Sequence, residues 1–134
     1  MPAPWQRSCY VPTMMKKVLL VDDDESFIWF LANALRECEE DFVTETAWNG
    51  KEAVKILEEF SVDFVITDLN MPVMNGYELL LHAKEHFPDI PVFVMTGVKT
   101  LEMGKKLHAM GVSRFMEKHS DITEVVKQVQ VWTR

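Results

Sequence analysis

The sequence predicts an α/β fold in which a doubly wound, five-stranded parallel sheet is covered by five helices. Three observations support this. From Lys17 onward, short apolar runs rich in β-branched residues alternate with longer segments of helical period, as in repeated strand–helix–strand units. The first run, Val18-Leu19-Leu20-Val21, is apolar at successive positions, so both its faces are buried, as in a central parallel strand. Four of the five runs end abruptly in polar residues, which puts chemistry at the carboxyl edge where open parallel sheets bind ligands.

After the first strand, Ser26 is expected to cap a helix running to about Glu39, with Phe27, Leu31, Ala34 and Leu35 at core-face spacing. Asp24 and Glu25 read as helix-start residues favoured by the macrodipole. Phe42 to Ala47 holds a valine and two threonines and reads as the second strand. Asn49-Gly50 then turns the chain into a helix with Ala53, Val54, Ile56 and Leu57 inward. Phe64-Val65-Ile66-Thr67 is the third strand and runs straight into Asp68. Met71-Pro72 and Asn75-Gly76 punctuate a loop before a helix from about Tyr77 to His86, which Pro88 stops. Val92 to Met95 is the fourth strand and ends at Thr96-Gly97. A helix from about Leu101 to Met110 stops at Gly111, a natural left-handed cap. Arg114 to Glu117 is the fifth strand, followed by Lys118. The last helix, about Asp121 to Trp132, carries Ile122, Val125, Val126 and Val129 on one face.

The 134 residues suffice for one domain, read as 16–134, preceded by an N-terminal extension over 1–15. Met1 to Thr13 holds three prolines and no apolar run long enough for a signal peptide or a membrane span. A composition of 48% hydrophobic and 26% charged residues can bury a continuous core. The net charge of −7 argues against sequence-independent binding of nucleic acid, which needs cations to neutralise phosphates. Cys9 and Cys38 have neither zinc spacing nor the density of a disulfide framework, which suits the cytoplasm. No linker, repeat or second unit is seen after the last helix, so action through protein contact is expected.

The strand ends deliver Asp22, Asp23, Asp68, Thr96 and Lys118 to one rim. Three carboxylates crowded together repel one another, and such a cluster persists when something positive is bound. An all-oxygen set of this kind suits magnesium, and Lys118 adds a second cation. Metal, ammonium and hydroxyl together can stabilise the equatorial oxygens of a phosphoryl group in transfer. A carboxylate in this setting is a competent nucleophile that forms an acyl phosphate. Asp68, alone among its sequence neighbours and on a central strand, is the candidate.

The motifs Val18-Leu19-Leu20-Val21-Asp22-Asp23-Asp24, Asp63-Phe64-Val65-Ile66-Thr67-Asp68-Leu69-Asn70-Met71-Pro72, Asn75-Gly76, Met95-Thr96-Gly97 and Phe115-Met116-Glu117-Lys118 resemble the receiver domains of bacterial two-component response regulators, including the single-domain chemotaxis type. The resemblance covers about Lys17 to Val131 and implies a flavodoxin-like sheet in the order 2-1-3-4-5. It further implies that Asp68 accepts a phosphoryl group from a histidine kinase or histidine phosphotransfer protein, with weak autophosphatase activity at most. By the same resemblance, Asp23 binds Mg2+ directly, Asp22 acts through a metal-bound water, and Asn70 offers its backbone carbonyl. Thr96 and Lys118 would hold phosphate oxygens, and Thr96 with Phe115 would form the switch. The output surface would be the fourth helix, fifth strand and fifth helix, contacting a downstream protein or a second phosphorylated copy, with no membrane or nucleic acid involved.

Two departures from the family pattern stand out: His119 where proline follows the lysine, and Phe115 where tyrosine is commoner. Ile28 and Trp29 occupy positions that resemble exposed sites of the family and are expected to extend the kinase-docking surface. Asn70 and Val98 flank the pocket and are expected to govern loss of the phosphoryl group. His82 and His86 lie one turn apart but lack a third ligand, so a solvent-facing pair is expected. Two alternatives stay open. An Asp-x-Asp after a strand also resembles haloacid-dehalogenase phosphatases, with Asp22 as nucleophile, and the chain could be a binding module that keeps the fold without signalling by phosphorylation.

Overall fold

The computed structural model describes residues 15–37, 42–71, 73–97, 99–118 and 121–133. The extension, Cys38, Pro72, Val98 and His119 fall outside these residues, or in the case of the extension all but its last residue. Five strands, β1 (Lys16–Val21), β2 (Phe42–Ala47), β3 (Phe64–Thr67), β4 (Val92–Thr96) and β5 (Arg114–Glu117), alternate with five helices. The helices are α1 (Glu25–Arg36), α2 (Gly50–Glu59), α3 (Gly76–His86), α4 (Leu101–Ala109) and α5 (Ile122–Thr133). All strand pairs are parallel, in the order β2-β1-β3-β4-β5, as the sequence predicts.

Alternation along the central strands splits the core into two layers, because successive side chains of a strand point to opposite faces. Val18, Leu20, Phe64, Ile66, Phe93 and Met95 pack with α1 and α5, and Phe64 meets Phe93 edge-to-face with centroids 4.4 Å apart. Leu19, Val21, Val65 and Val94 pack on the other face with Ala53 and Leu57 of α2, Leu79 of α3 and Leu107 of α4.

Side-chain caps fix where the helices begin, beside the carboxyl edge of the sheet. Asn49 accepts from the Glu52 amide and Thr100 from the Met103 amide, while Asn75 and Glu78 form a reciprocal capping box. Gly111 follows α4 with φ +82, as the expected left-handed cap requires.

α1 departs from expectation in two respects. Its cap is Asp24, not Ser26: the Asp24 carboxylate accepts from the Phe27 amide at 3.2 Å, leaving Ser26 inside the helix. Ile28 is buried, at 4% exposure, because Ile28, Leu31, Ala32 and Leu35 form the sheet-facing stripe and Ala34 lies at its margin. Trp29 is exposed at 67%, as expected. The rings of His82 and His86 lie tilted at 39° with centroids 4.4 Å apart, and no third metal-ligating side chain joins them among the described residues.

Phe64 is fully buried and touches the layer that holds α1 and α5. Phe64→Ala is expected to lower unfolding free energy by about 3–5 kcal/mol, read from the urea midpoint at unchanged slope.

Candidate functional site

The backbone ladder extends past the ends of β1 and β3 and fixes the two acidic residues that follow. The Asp22 amide donates to the Ala47 carbonyl (3.1 Å) and the Asp68 amide to the Val21 carbonyl (3.0 Å). Asp22 and Asp68 are therefore held between neighbouring strands and are only 2% and 6% exposed, whereas Asp23 is exposed. One carboxylate oxygen from each of Asp22, Asp23 and Asp68 lies within 4.8 Å of the others.

Lys118, directly after β5, reaches back into this cluster. Its Nζ lies 2.6 Å from Asp22 Oδ2 and 3.3 Å from Asp68 Oδ2, and 5.0 Å from the centroid of the Phe27 ring. The Lys118 backbone amide donates to the Thr96 carbonyl at 2.7 Å, which ties the ends of β4 and β5 together beside the acidic residues. Thr96 is buried at the last position of β4.

The two buried carboxylates are arranged alike. Asp22 Oδ1 accepts from the Asp24 amide (3.0 Å) and Asp68 Oδ1 from the Leu69 amide (2.8 Å), so each has one oxygen set by backbone while the other faces Lys118. The contact to Asp22 Oδ2 is short but poorly aligned. It is an ion pair, and among the described residues that buried oxygen has no other partner.

The loop after Asp68 wraps tightly around it. Gly76 donates to the Leu69 carbonyl at 2.9 Å, and a β-carbon at this position would strike the Asp68 carbonyl oxygen and stand 2.7 Å from Leu69 Cα. Only glycine fits this approach. Val73 takes φ 69, a left-handed conformation that costs a β-branched residue roughly 1–2 kcal/mol. Asn70 lies exposed on the same loop, two residues past Asp68.

Burial pushes the Asp22 carboxyl up to about 6; the Lys118 ammonium and the Asp24 amide oppose this, and the Asp68 charge adds to it. Burial alone would draw the Lys118 ammonium down, but its pairing with Asp22 and then Asp68 prevails and raises it. At neutral pH three carboxylates face one ammonium, so the cluster carries uncompensated negative charge. The proximity of the three carboxylates, their all-oxygen chemistry and the charge that a single ammonium leaves uncompensated together fit a hard divalent cation.

The structure thus brings Asp22, Asp23, Asp68 and Lys118 together, with Thr96 alongside and Asn70 on the adjoining loop. Phe115 is half-buried on the α4 side of β5. Sequence reasoning missed the place of Phe27 beneath the Lys118 ammonium; its position in the first turn after the acidic triplet was the available signal. It also missed Lys99, which contacts Phe115 from a loop whose course no local pattern predicts.

Because the folded-state value of Asp22 lies above its ordinary value of 3.8, the folded protein binds the extra proton first. Stability of the metal-free protein is therefore gained as pH falls through about 6 and lost again as it rises. In EDTA, native protein is expected to gain roughly 1 kcal/mol between pH 7 and pH 5 relative to Asp22→Asn, measured by urea unfolding of both.

Residues 18–130 match the model of the response regulator receiver domain. Chemotaxis protein CheY of Halobacterium salinarum is 36% identical over 107 residues, covering 78% of this chain and 86% of that protein. The DNA-binding transcriptional regulator NtrC of Escherichia coli K12 is 33% identical over 113 residues, covering 84% of this chain but only 24% of NtrC. This chain thus matches about a quarter of the length of that relative. The solved structure of the chemotaxis response regulator CheY4 of Vibrio cholerae superimposes with a TM-score of 0.79 at 28% identity, covering 88% of this chain and 98% of the other. These likenesses do not favour a phosphatase built on Asp22 or a receiver-like binding module that does not signal by phosphorylation. With the acidic cluster and the 2-1-3-4-5 sheet already in place, they show that the chain belongs to the receiver domains of two-component response regulators.

Proposed function

We propose that the chain is a phosphorylation-dependent signalling domain of the cytoplasm in which Asp68 accepts a phosphoryl group. The observation that supports this most is the position of Asp68: nearly buried, with one oxygen held by a backbone amide and the other 3.3 Å from a lysine ammonium. Receiver domains as a family are phosphoacceptors that bind Mg2+ at an acidic pocket. Here Asp22, Asp23, Asp68 and the Asn70 carbonyl would hold the ion, which when bound neutralises charge on the transferring group.

The donor is a phosphohistidine of a kinase or phosphotransfer protein. An Asp68 carboxylate oxygen forms the new P–O bond as the donor P–N bond breaks, and the imidazole leaves neutral with its second nitrogen protonated. Lys118, already facing Asp68 Oδ2, turns to a phosphoryl oxygen. Thr96, beside it, supplies a hydroxyl to another oxygen. As Thr96 moves toward the phosphoryl group, Phe115 turns inward and the α4–β5–α5 surface changes its affinity for a downstream protein or for a second phosphorylated copy. Slow attack of water on the acyl phosphate then resets the domain. Trp29, exposed on α1, extends the surface met by the donor.

Intact mass after incubation with acetyl phosphate tests the assignment. Native protein is expected to gain the mass of one phosphoryl group when Mg2+ is present and none in EDTA, while Asp68→Asn gains none in either. A full gain in Asp68→Asn would place the acceptor elsewhere.

A further inference from the structure

Phe115 packs from β5 against the same apolar layer as Leu107 of α4, beside Gly104 and within reach of Lys99. α4 presents Gly104, where a β-carbon would stand 3.7 Å from Cδ2 and 3.9 Å from Cε2 of the ring. A methyl at this position would meet the ring in ordinary van der Waals contact. From the loop between β4 and α4, Lys99 donates from Nζ to the Phe115 carbonyl oxygen at 3.2 Å, and the same ammonium stands 5.3 Å from the ring centroid. One side chain thereby grips both the backbone and the ring of one residue. A cleft of about 530 Å³, lined among others by Lys99, Gly104, His108, Phe115 and Glu117, runs alongside.

We propose that Lys99 is a restraint on Phe115, holding it against α4 so that the strength of this contact sets how often the unphosphorylated protein visits its signalling arrangement. The inference rests on the function proposed above, in which Thr96 and Phe115 move together. Lys99 lies three residues beyond Thr96, the last residue of β4, so a shift of Thr96 is expected to displace the backbone that carries the ammonium. A contact made in one arrangement and lost in the other moves the equilibrium between them by its own free energy. A cation over an aromatic ring at an exposed site, with one hydrogen bond from the same group, corresponds to a population change of roughly fivefold.

The test titrates beryllofluoride at fixed Mg2+ against native protein, Lys99→Met, Lys99→Arg and Gly104→Ala, followed by amide chemical shifts whose starting spectra report the fold of each variant. The restraint predicts that the half-saturating beryllofluoride concentration falls roughly fivefold in Lys99→Met. It returns toward the native value in Lys99→Arg, which keeps the cation. In Gly104→Ala it rises, because the added methyl packs on the ring in its place against α4. An unchanged midpoint in Lys99→Met, or shifts of the same sign in Lys99→Met and Gly104→Ala, overturns the proposal. A native protein that gives no response removes the phosphoacceptor function and the restraint together, whereas a native response without a Lys99 effect removes the restraint alone.

Discussion

The Lys118 ammonium between Asp22 and Asp68 is the interaction on which the site depends. Three carboxylates cannot share a partly buried corner without a cation, since charges a few ångströms apart interact far more strongly there than in water. Lys118 compensates part of that charge, and does so from β5, the strand furthest along the sheet from β1 on that side. The cluster therefore exists only when β1, β3 and β5 are in register, which couples the chemistry of the edge to completion of the sheet. The charge left over is what the proposed binding of a divalent cation and a phosphoryl group rests on.

Backbone contacts hold the acidic side chains and the loops beside them in place. Asp22 and Asp68 are fixed by ladder hydrogen bonds that run one residue past their strands, and each then receives a backbone amide on Oδ1. The β3–α3 loop is anchored by the close approach of Gly76 to Asp68 and by the Asn75–Glu78 box, and between those anchors it tolerates the left-handed Val73. On the β4–α4 side, Thr100 caps α4, Lys99 reaches Phe115, and the Lys118 amide holds the Thr96 carbonyl.

Much of this was legible in the sequence for identifiable reasons. Parallel strands buried on both faces leave continuous apolar runs, and the polar residues that end them lie at the ligand-binding edge by topology, so Asp22, Asp23, Asp68, Thr96 and Lys118 could be grouped across wide gaps. Asp24 and Ser26 were harder to separate, since both are good capping residues and the choice depends on where the chain leaves β1. Ile28 was expected to be exposed by analogy of position, but helical spacing with Leu31, Ala32 and Leu35 decides its burial. The grip of Lys99 on Phe115 left no trace, because a long exposed side chain finds its partner through loop geometry that propensity and periodicity do not encode.

Reductive trapping tests the central claim most directly. An aspartyl phosphate treated with borohydride becomes homoserine, and peptide mapping of protein first exposed to acetyl phosphate and Mg2+ locates that residue. The account predicts homoserine at position 68 and at no other aspartate. Homoserine at position 22, or its absence from protein whose mass has increased by a phosphoryl group, would contradict it.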